Sequence, residues 1–473
     1  VAAFPPFACA TCGWIALVPA WWVITRSEAA RRQPIRHGYL LGLIYFGGTF
    51  WWIADVTPVA TVLLILYLAL YPGIWFLFVA RLVLPVIGAG SVGALLRAGV
   101  AASFWVTLEW WRSWFLTGFD WNEVGASQSP SIVFRQMAAF GGVPLLSFLL
   151  VTVNILWAEG LVGIAERLRR ERVVRVTLPF GAALLLVALM FALGSHHLLR
   201  HRGEALKTGP DFAAIQPNIP QLADAGGDFQ HGEDVALERE VSLSDAATMS
   251  KPELLIWPEA IVSEGVFTDR PLNEAVHGIL QNFDGWFLLG SQDFDYRAHK
   301  LYNVAFLFAP GGSSGQEYRK THLVVGGEYL PVSEKMMWLR RDLGLGDIDF
   351  SPGPGPVKFT MTKPAVSFAP LICFEDTLAD VAQRAARLRP DFFVTITNDG
   401  WYTGWFAQWG VRQHLALAVF RCVEQDRPMI RCANTGISCV IDPNGTVTER
   451  LRDGAGKSID VGGVFRGTLR FYP

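Results

Sequence analysis

The hydrophobic pattern divides the chain near residue 195. Before that point, long apolar runs with few charges recur; after it, short β-type runs alternate with segments of helical periodicity. A helix needs about 20 residues to cross a bilayer core. Six stretches approach or exceed that length, at 7–25, 38–55, 58–84, 92–116, 140–165 and 173–194. The first is short and weakened by proline. The pattern therefore predicts a transmembrane helical domain over 1–195, a linker at 196–210 and a globular domain over 211–473.

In the globular part FAAIQPNI reads as a strand, and a helical stretch at 232–249 leads into the strand LLIWPE. A second helix near 271–283 precedes WFLLGS, and the turn PGGSSG closes a hairpin from LYNVAFLFAP into EYRKTHLV. The run SPGPGP is a loop. The strands AVSFAPLICF, FFVTITN, PMIRCAN and SCVIDPNG follow, with helices near 377–388 and 410–424 between them. Such alternation predicts an α/β fold with helices covering sheet faces. Hairpins mixed with crossovers argue against a purely parallel sheet. No G-x-G-x-x-G follows a strand, and there is no P-loop.

Composition sharpens the division. The chain is 51% hydrophobic, an excess concentrated before residue 195. Many of its 18 tryptophans lie near the ends of apolar runs, as in the aromatic belts of a bilayer interface. A net charge of −2 gives no nucleic-acid footprint. Arginines fall in alternate loops: Arg26, Arg31, Arg32 and Arg36, then Arg81 and Arg97, then Arg167, Arg169, Arg170, Arg172 and Arg175. The positive-inside rule makes these loops cytoplasmic, and six crossings then put the globular domain outside. Glu109 and Arg112 fall within the fourth stretch, spaced to share a helix face. They read either as a mutual pair near a helix end or as residues lining a reaction site. The six cysteines are too few for a disulfide scaffold. Cys9 and Cys12 form a C-x-x-C without further ligands nearby, and Cys422, Cys432 and Cys439 read as small buried hydrophobes.

Three polar residues stand at the ends of strand-like runs: Glu259 in LLIWPEA, Lys320 in YRKTHLV and Cys373 in LICFED. A thiol with an ordinary pKa is only a few per cent thiolate at neutral pH, so a nucleophilic cysteine needs a base or a cation beside it. The three together can serve acyl transfer: the thiol attacks, the carboxylate moves protons and the ammonium stabilises an oxyanion. Each also has a plain structural reading. Cys373 alone reads as a buried cysteine, Glu259 as a strand-end cap and Lys320 as a solvated charge on an exposed strand face. Glu328 and Glu375 are further carboxylates able to hold Lys320 or orient an amine, or simply to be solvated.

Spacing does not make these residues neighbours. The ordered set WPE, YRKTHLVVGGEYLP, CFED, NDGWY and RCANTG resembles the nitrilase, or carbon–nitrogen hydrolase, superfamily. With TGFDWNEVGASQ at 117–128, QPNIPQ and the block NDGWYTGWFAQWGVRQHLALAVFRCVEQDRPMIRCANTG, the chain is similar to the apolipoprotein N-acyltransferase family over nearly its whole length. The resemblance implies a nitrilase-like αββα sandwich attached to the membrane bundle, in a bacterial inner membrane with the catalytic domain on the periplasmic side. It implies catalytic Glu259, Lys320 and Cys373. Glu328 carries over as a second glutamate near the lysine, Glu375 as the carboxylate after the nucleophile, and Asn303 as part of a Tyr-Asn pair. It implies a membrane phospholipid as acyl donor, a diacylated apolipoprotein as acceptor, a thioester intermediate and no cofactor. Phe374 stands where the family often has Tyr, Thr321 where His is frequent, and LADAGGD lacks an expected Trp. The family's first and last membrane helices are not in this sequence, and both ends are expected to be trimmed. The same triad would serve a membrane-tethered amidase, and bystander residues would leave a non-catalytic lipoprotein-binding scaffold.

Overall fold

The computed structural model describes residues 1–88, 90–168, 177–201, 204–219, 229–260, 265–267, 269–312, 315–330, 349–402 and 406–472. Arg169, Arg170, Arg172, Arg175 and the LADAGGD stretch lie outside the described residues. The chain forms two compact units: 1–202 with 404–420, and 203–403 with 421–473.

The first unit is helical. Its principal helices are α1 (Val18–Arg26), α2 (Pro34–Phe50), α3 (Pro58–Leu68), α4 (Leu70–Phe78), α5 (Ser91–Arg112), α6 (Ala138–Leu168) and α7 (Thr177–Leu198). Among the described residues, four helical stretches are long and apolar enough to cross a membrane: Pro58–Val86, Ser91–Arg112, Phe134–Leu168 and Thr177–Leu198. They coincide with the last four predicted crossings. The first predicted crossing is broken into Ala10–Gly13 and α1, and the second ends when α2 passes into a 3-10 turn at Trp51–Asp55. α2 and α4 pack antiparallel at small residues. A Cβ on Gly38 would lie 2.3 Å from the Pro72 carbonyl oxygen, and one on Gly42 would lie 2.6 Å from the Ala69 Cα. α6 bends where Gly141 and Gly142 leave helical geometry.

Arg81 and Arg97 are not in a loop. Arg81 occupies a π-helical turn, Val79–Val83, and Arg97 is buried in the second turn of α5. Glu109 and Arg112 have their own partners: Glu109 accepts from Trp105 Nε1 and Val124 N, while Arg112 donates to the Trp121 carbonyl and lies over the Phe46 ring.

The second unit is a two-sheet sandwich. One sheet has the order β12-β1-β2-β3-β4-β5 and the other β11-β10-β9-β8-β7-β6. The strands are β1 (Lys207–Gln216), β2 (Leu254–Ile256), β3 (Trp286–Asp295), β4 (Lys300–Phe308), β5 (Gly315–Arg319), β6 (Phe359–Thr362), β7 (Ala365–Ile372), β8 (Phe392–Thr397), β9 (Met429–Ala433), β10 (Cys439–Ile441), β11 (Val447–Arg450) and β12 (Gly463–Phe471). β1, β2 and β3 pair in parallel, as do β7, β8 and β9, while the outer strands add antiparallel pairs. Period-2 alternation splits β1 between two cores. Phe212 and Ala214 face the inter-sheet core with Ile256, Phe368, Phe392 and Ile430. Ala213 and Ile215 face an outer core with Leu272, Val276 and Ile279 of the helix α9 (Arg270–Asn282), which follows α8 (Phe229–Thr248). α10 (Ala379–Ala386) lies against β7 with Val381, Ala382 and Ala385 buried. A sandwich with helices outside both sheets is the αββα architecture expected from the sequence. The last helix, α11 (Ala407–Gln425), is shared between the two units.

Candidate active site

The parallel strands deliver their carboxyl ends to one region, the usual location of ligand sites in such sheets. β2 ends at Ile256 and the chain reaches Glu259 three residues later. β7 ends at Ile372 and hands directly to Cys373. Lys320 follows the last residue of β5, and its N–H bonds to the Asn303 carbonyl at 2.8 Å, extending the β4–β5 ladder by one step. Asn303 and Lys320 are therefore cross-strand neighbours.

Their side chains converge. Asn303 Nδ2 donates to Glu259 Oε1 at 2.8 Å and to Glu328 Oε1 at 3.0 Å. Lys320 Nζ reaches Glu328 Oε1 at 2.9 Å and Glu259 Oε1 at 3.5 Å. The second oxygens are also held: Asn398 N donates to Glu259 Oε2 and Val324 N to Glu328 Oε2, at 2.9 and 2.8 Å. Lys320 is 1% exposed and Glu259 7%. The reading of Lys320 as a solvated strand-face charge is thus replaced by a buried ion-pair network.

Cys373 sits at a sharp strand-to-helix corner. Its φ is +53°, unusual for a residue with a Cβ and costing roughly 1–3 kcal/mol. A 3-10 turn, Cys373–Thr377, begins there. The Thr397 hydroxyl bonds to the thiol, which also lies in the electrostatic reach of Glu259, Lys320 and Asp399. Glu375 holds the corner from behind. It is fully buried and accepts from Tyr318 OH, Thr321 N, Thr321 Oγ1, His322 N and Ile372 N, at 2.7–3.1 Å. It thereby ties the chain just after Lys320 to the chain just before Cys373. The Phe374 ring lies 6.0 Å from that of His322.

The electrostatics follow from burial and charge. Burial pushes the Glu259 carboxyl above the usual carboxylate range, and Lys320 with the bonds from Asn303 and Asn398 pulls it partly back. Burial alone would lower the Lys320 ammonium, but Glu328, Glu259 and Cys373 outweigh it and hold the amine charged. Burial first, and then the Glu259 charge, push the Cys373 thiol well up, against the pull of Lys320 and Thr397. The resting sulfur is thus protonated, beside a carboxylate of raised basicity and a fixed cation.

The resemblance points to Glu259, Lys320, Cys373, Glu328 and Asn303; the structure links Glu259, Lys320, Glu328 and Asn303 by contacts of 3.5 Å or less, with Cys373 in their electrostatic reach. Sequence reasoning assigns no part to Thr397, the Asn398 amide, Tyr318 or Tyr402. Burial, followed by the charges of Asp399 and Cys373, pushes the Tyr402 hydroxyl up. Three of the four lie in or beside the quoted NDGWY motif, the one signal that pointed at them. Beneath the site, fully buried Arg431 bridges Asp376 and Asp399, each at 3.2 Å.

A two-layer mixed sandwich carrying a carboxylate, an ammonium and a thiol at its strand ends is a carbon–nitrogen hydrolase unit, and the carbon–nitrogen hydrolase family model matches residues 212–459. Residues 1–156 match the apolipoprotein N-acyltransferase N-terminal domain. The chain is 30% identical over 463 residues to the apolipoprotein N-acyltransferase of Geobacter metallireducens, covering 94% of this chain and 83% of that protein. It is 30% identical over 452 residues to that of Azotobacter vinelandii, covering 90% and 80%. Nit3 of Saccharomyces cerevisiae, described as a member of branch 10 of the nitrilase superfamily, aligns at 16% identity and a TM-score of 0.41, covering 57% of this chain and 92% of that one. This chain belongs to the apolipoprotein N-acyltransferase family: a membrane-embedded acyltransferase built on a carbon–nitrogen hydrolase fold.

Proposed function

We propose that the chain moves an acyl chain from a membrane phospholipid, through a thioester on Cys373, to the N-terminal amine of a diacylglyceryl-cysteine lipoprotein. Cys373 Sγ attacks the ester carbonyl while Glu259 accepts the thiol proton. Lys320 stabilises the tetrahedral oxyanion. Glu259 then protonates the departing glycerol oxygen, leaving a thioester and a lysophospholipid. In the second half the acceptor amine attacks the thioester, Glu259 takes its proton, and the sulfur leaves and is reprotonated. Glu328 keeps Lys320 charged and aimed, Asn303 holds both glutamates, and Glu375 braces the nucleophile's corner.

The observation that carries this reading is the buried cation, held between two carboxylates beside a cysteine on a strained corner. A neutral resting thiol next to a carboxylate of raised pKa suits proton transfer coupled to attack. The arginines at 26–36 and 167–175 support a cytoplasmic placement for those loops, and with it a multi-pass inner-membrane protein whose catalytic unit is periplasmic.

The test uses phospholipid labelled in its acyl chain. Wild-type protein is expected to carry hydroxylamine-sensitive label and release lysophospholipid; Cys373→Ala is expected to carry none. Undiminished label in Cys373→Ala overturns the mechanism. Ammonia release from simple amides without lysophospholipid assigns the site to an amidase instead.

A further inference from the structure

The helical unit contains a concavity that shares no residue with the candidate active site. It measures about 510 Å³ and is lined by Arg32, Gln33, Arg36, Tyr39, Leu77 and Arg81, among others. The antiparallel packing of α2 on α4 explains why these residues meet. With Gly38 against Pro72 and Gly42 against Ala69, the start of α2 lies beside the end of α4. Arg81 arrives on a π-helical turn, Val79–Val83, and such turns are rare and concentrate at functional sites.

The charges at this end are not balanced. Arg32 pairs with Glu28 at 2.5 Å. Arg36 reaches only the neutral Gln33 Oε1, at 3.3 Å. Among the described residues, no carboxylate lies within ion-pair distance of Arg36 or Arg81. Each of these arginines heads an aliphatic stripe at helical spacing. Arg36, Leu40 and Ile44 share one face of α2, and Leu70, Ile74, Leu77 and Arg81 share one face of the α4 stretch. Leu40, Ile44, Leu70 and Ile74 are all exposed. Eight residues of helix span about 12 Å, enough for apolar contact well below the guanidinium level.

We propose that this cavity binds the headgroup phosphate of an anionic phospholipid, with its acyl chains against the Leu70, Ile74 and Leu77 face of the α4 stretch. Arg36 and Arg81 supply the charge and Arg32 rims the site. Tyr39 lines the same concavity. The α4 stripe favours a lipid over a free phosphate ion, because a free ion has no use for it. Two guanidiniums lacking carboxylates favour a headgroup with net negative charge over a zwitterionic one. Arginines that merely reach outward to the interface would diverge into solvent; these converge on one concavity from two helices.

The test titrates phosphatidylglycerol, with phosphatidylcholine as comparison, into the full chain in detergent. Retention is read by native mass spectrometry and thermal shift. Wild type is expected to prefer phosphatidylglycerol. The double variant Arg36→Gln/Arg81→Gln is expected to lose about thirtyfold in affinity, at roughly a kilocalorie per arginine. Arg36→Lys/Arg81→Lys, which keeps the charge, controls for folding and is expected to retain most of the preference. Arg167→Gln, an exposed arginine at another helix end, is expected to change affinity less than twofold. Equal losses in Arg167→Gln and the double variant overturn the site in favour of general surface attraction. Displacement of the lipid by millimolar inorganic phosphate also overturns it, and points to a free anion.

Discussion

Lys320 keeps its charge at 1% exposure because Glu328 and Glu259 face it, and this makes the residue scale testable. Breaking a buried ion pair from one side typically costs about 3–5 kcal/mol. Glu328→Gln is expected to lower stability by something near the small end of that range, since Glu259 remains, and to slow thioester formation about 100-fold, as read by label incorporation. The pH profile follows from Glu259. Its carboxyl must be ionised to take the thiol proton, and burial raises its pKa. The acidic limb of the acylation rate should therefore lie above the ordinary carboxylate range. Asn303→Ala removes a bond to the ionised form, so it should move that limb to still higher pH. A limb that stays put in a pH–rate measurement removes Asn303 from this part. Glu240 is a separate case: burial pushes its carboxyl up to about 8 from an ordinary 4.5. Between those values the folded state holds a proton that the unfolded state has lost, so stability falls as pH rises through the window. The contribution is whole below the lower value and lost above the upper. Wild-type thermal stability should decline from pH 5 to 8, and Glu240→Gln should flatten the decline.

The elements matter because the reactive groups stand at their ends. Glu375 joins two of those ends through five donors. Glu375→Ala orphans them in the interior, where each unmet donor costs about 1–3 kcal/mol. The expected outcome is a chain that loses thioester formation and most of its stability, while Tyr318→Phe, which removes one donor, loses about 1 kcal/mol by denaturant titration. Gly290 shows the same dependence in β3. A Cβ there would lie 2.3 Å from the Pro258 carbonyl oxygen and 2.8 Å from the Glu259 Cα. Gly290→Ala must push the Glu259 backbone, and is expected to reduce the acylation rate at least tenfold through loss of alignment. Much of this level was legible in advance. The alternation of strands and helices, the mixed pairing and the positions of Glu259, Lys320 and Cys373 at strand ends all follow from local pattern. The positive φ of Cys373, the Asn398 amide on Glu259 and the Thr397 hydroxyl on the thiol were not legible. They arise where strands distant in sequence meet, and a backbone N–H carries no mark in the sequence of the carboxylate it serves. Lys320 reads as a solvated charge in isolation for the same reason: the carboxylates that hold it lie 8 and 61 residues away.

At the scale of the whole molecule, the helical unit is tied by polar contacts that hydropathy conceals. From sequence Arg97 reads as a loop cation, because a charge near the start of an apolar run resembles the edge of one. In the structure its guanidinium makes a two-pronged contact with Glu159, Nε to Oε1 at 2.8 Å and Nη2 to Oε2 at 2.6 Å. Glu159 also accepts from Trp21 Nε1 at 3.0 Å, and Arg97 donates to the Gly88 carbonyl at 2.7 Å. One buried carboxylate thus connects α1, α5 and α6. Removing the cation alone strands a charge with no water to replace it, whereas removing both partners leaves an apolar contact. Arg97→Met is therefore expected to destabilise the helical unit by about 3 kcal/mol, and Arg97→Met/Glu159→Met by much less. Trp21→Phe should cost about 1 kcal/mol. Thermal unfolding of the full chain in detergent measures all three. If the pair serves architecture, the surviving folded fraction of each variant acylates Cys373 at the wild-type rate with an unchanged pH profile. A double variant as unstable as Arg97→Met would mean that Glu159 is not left as a stranded charge, and that other contacts hold these three helices together.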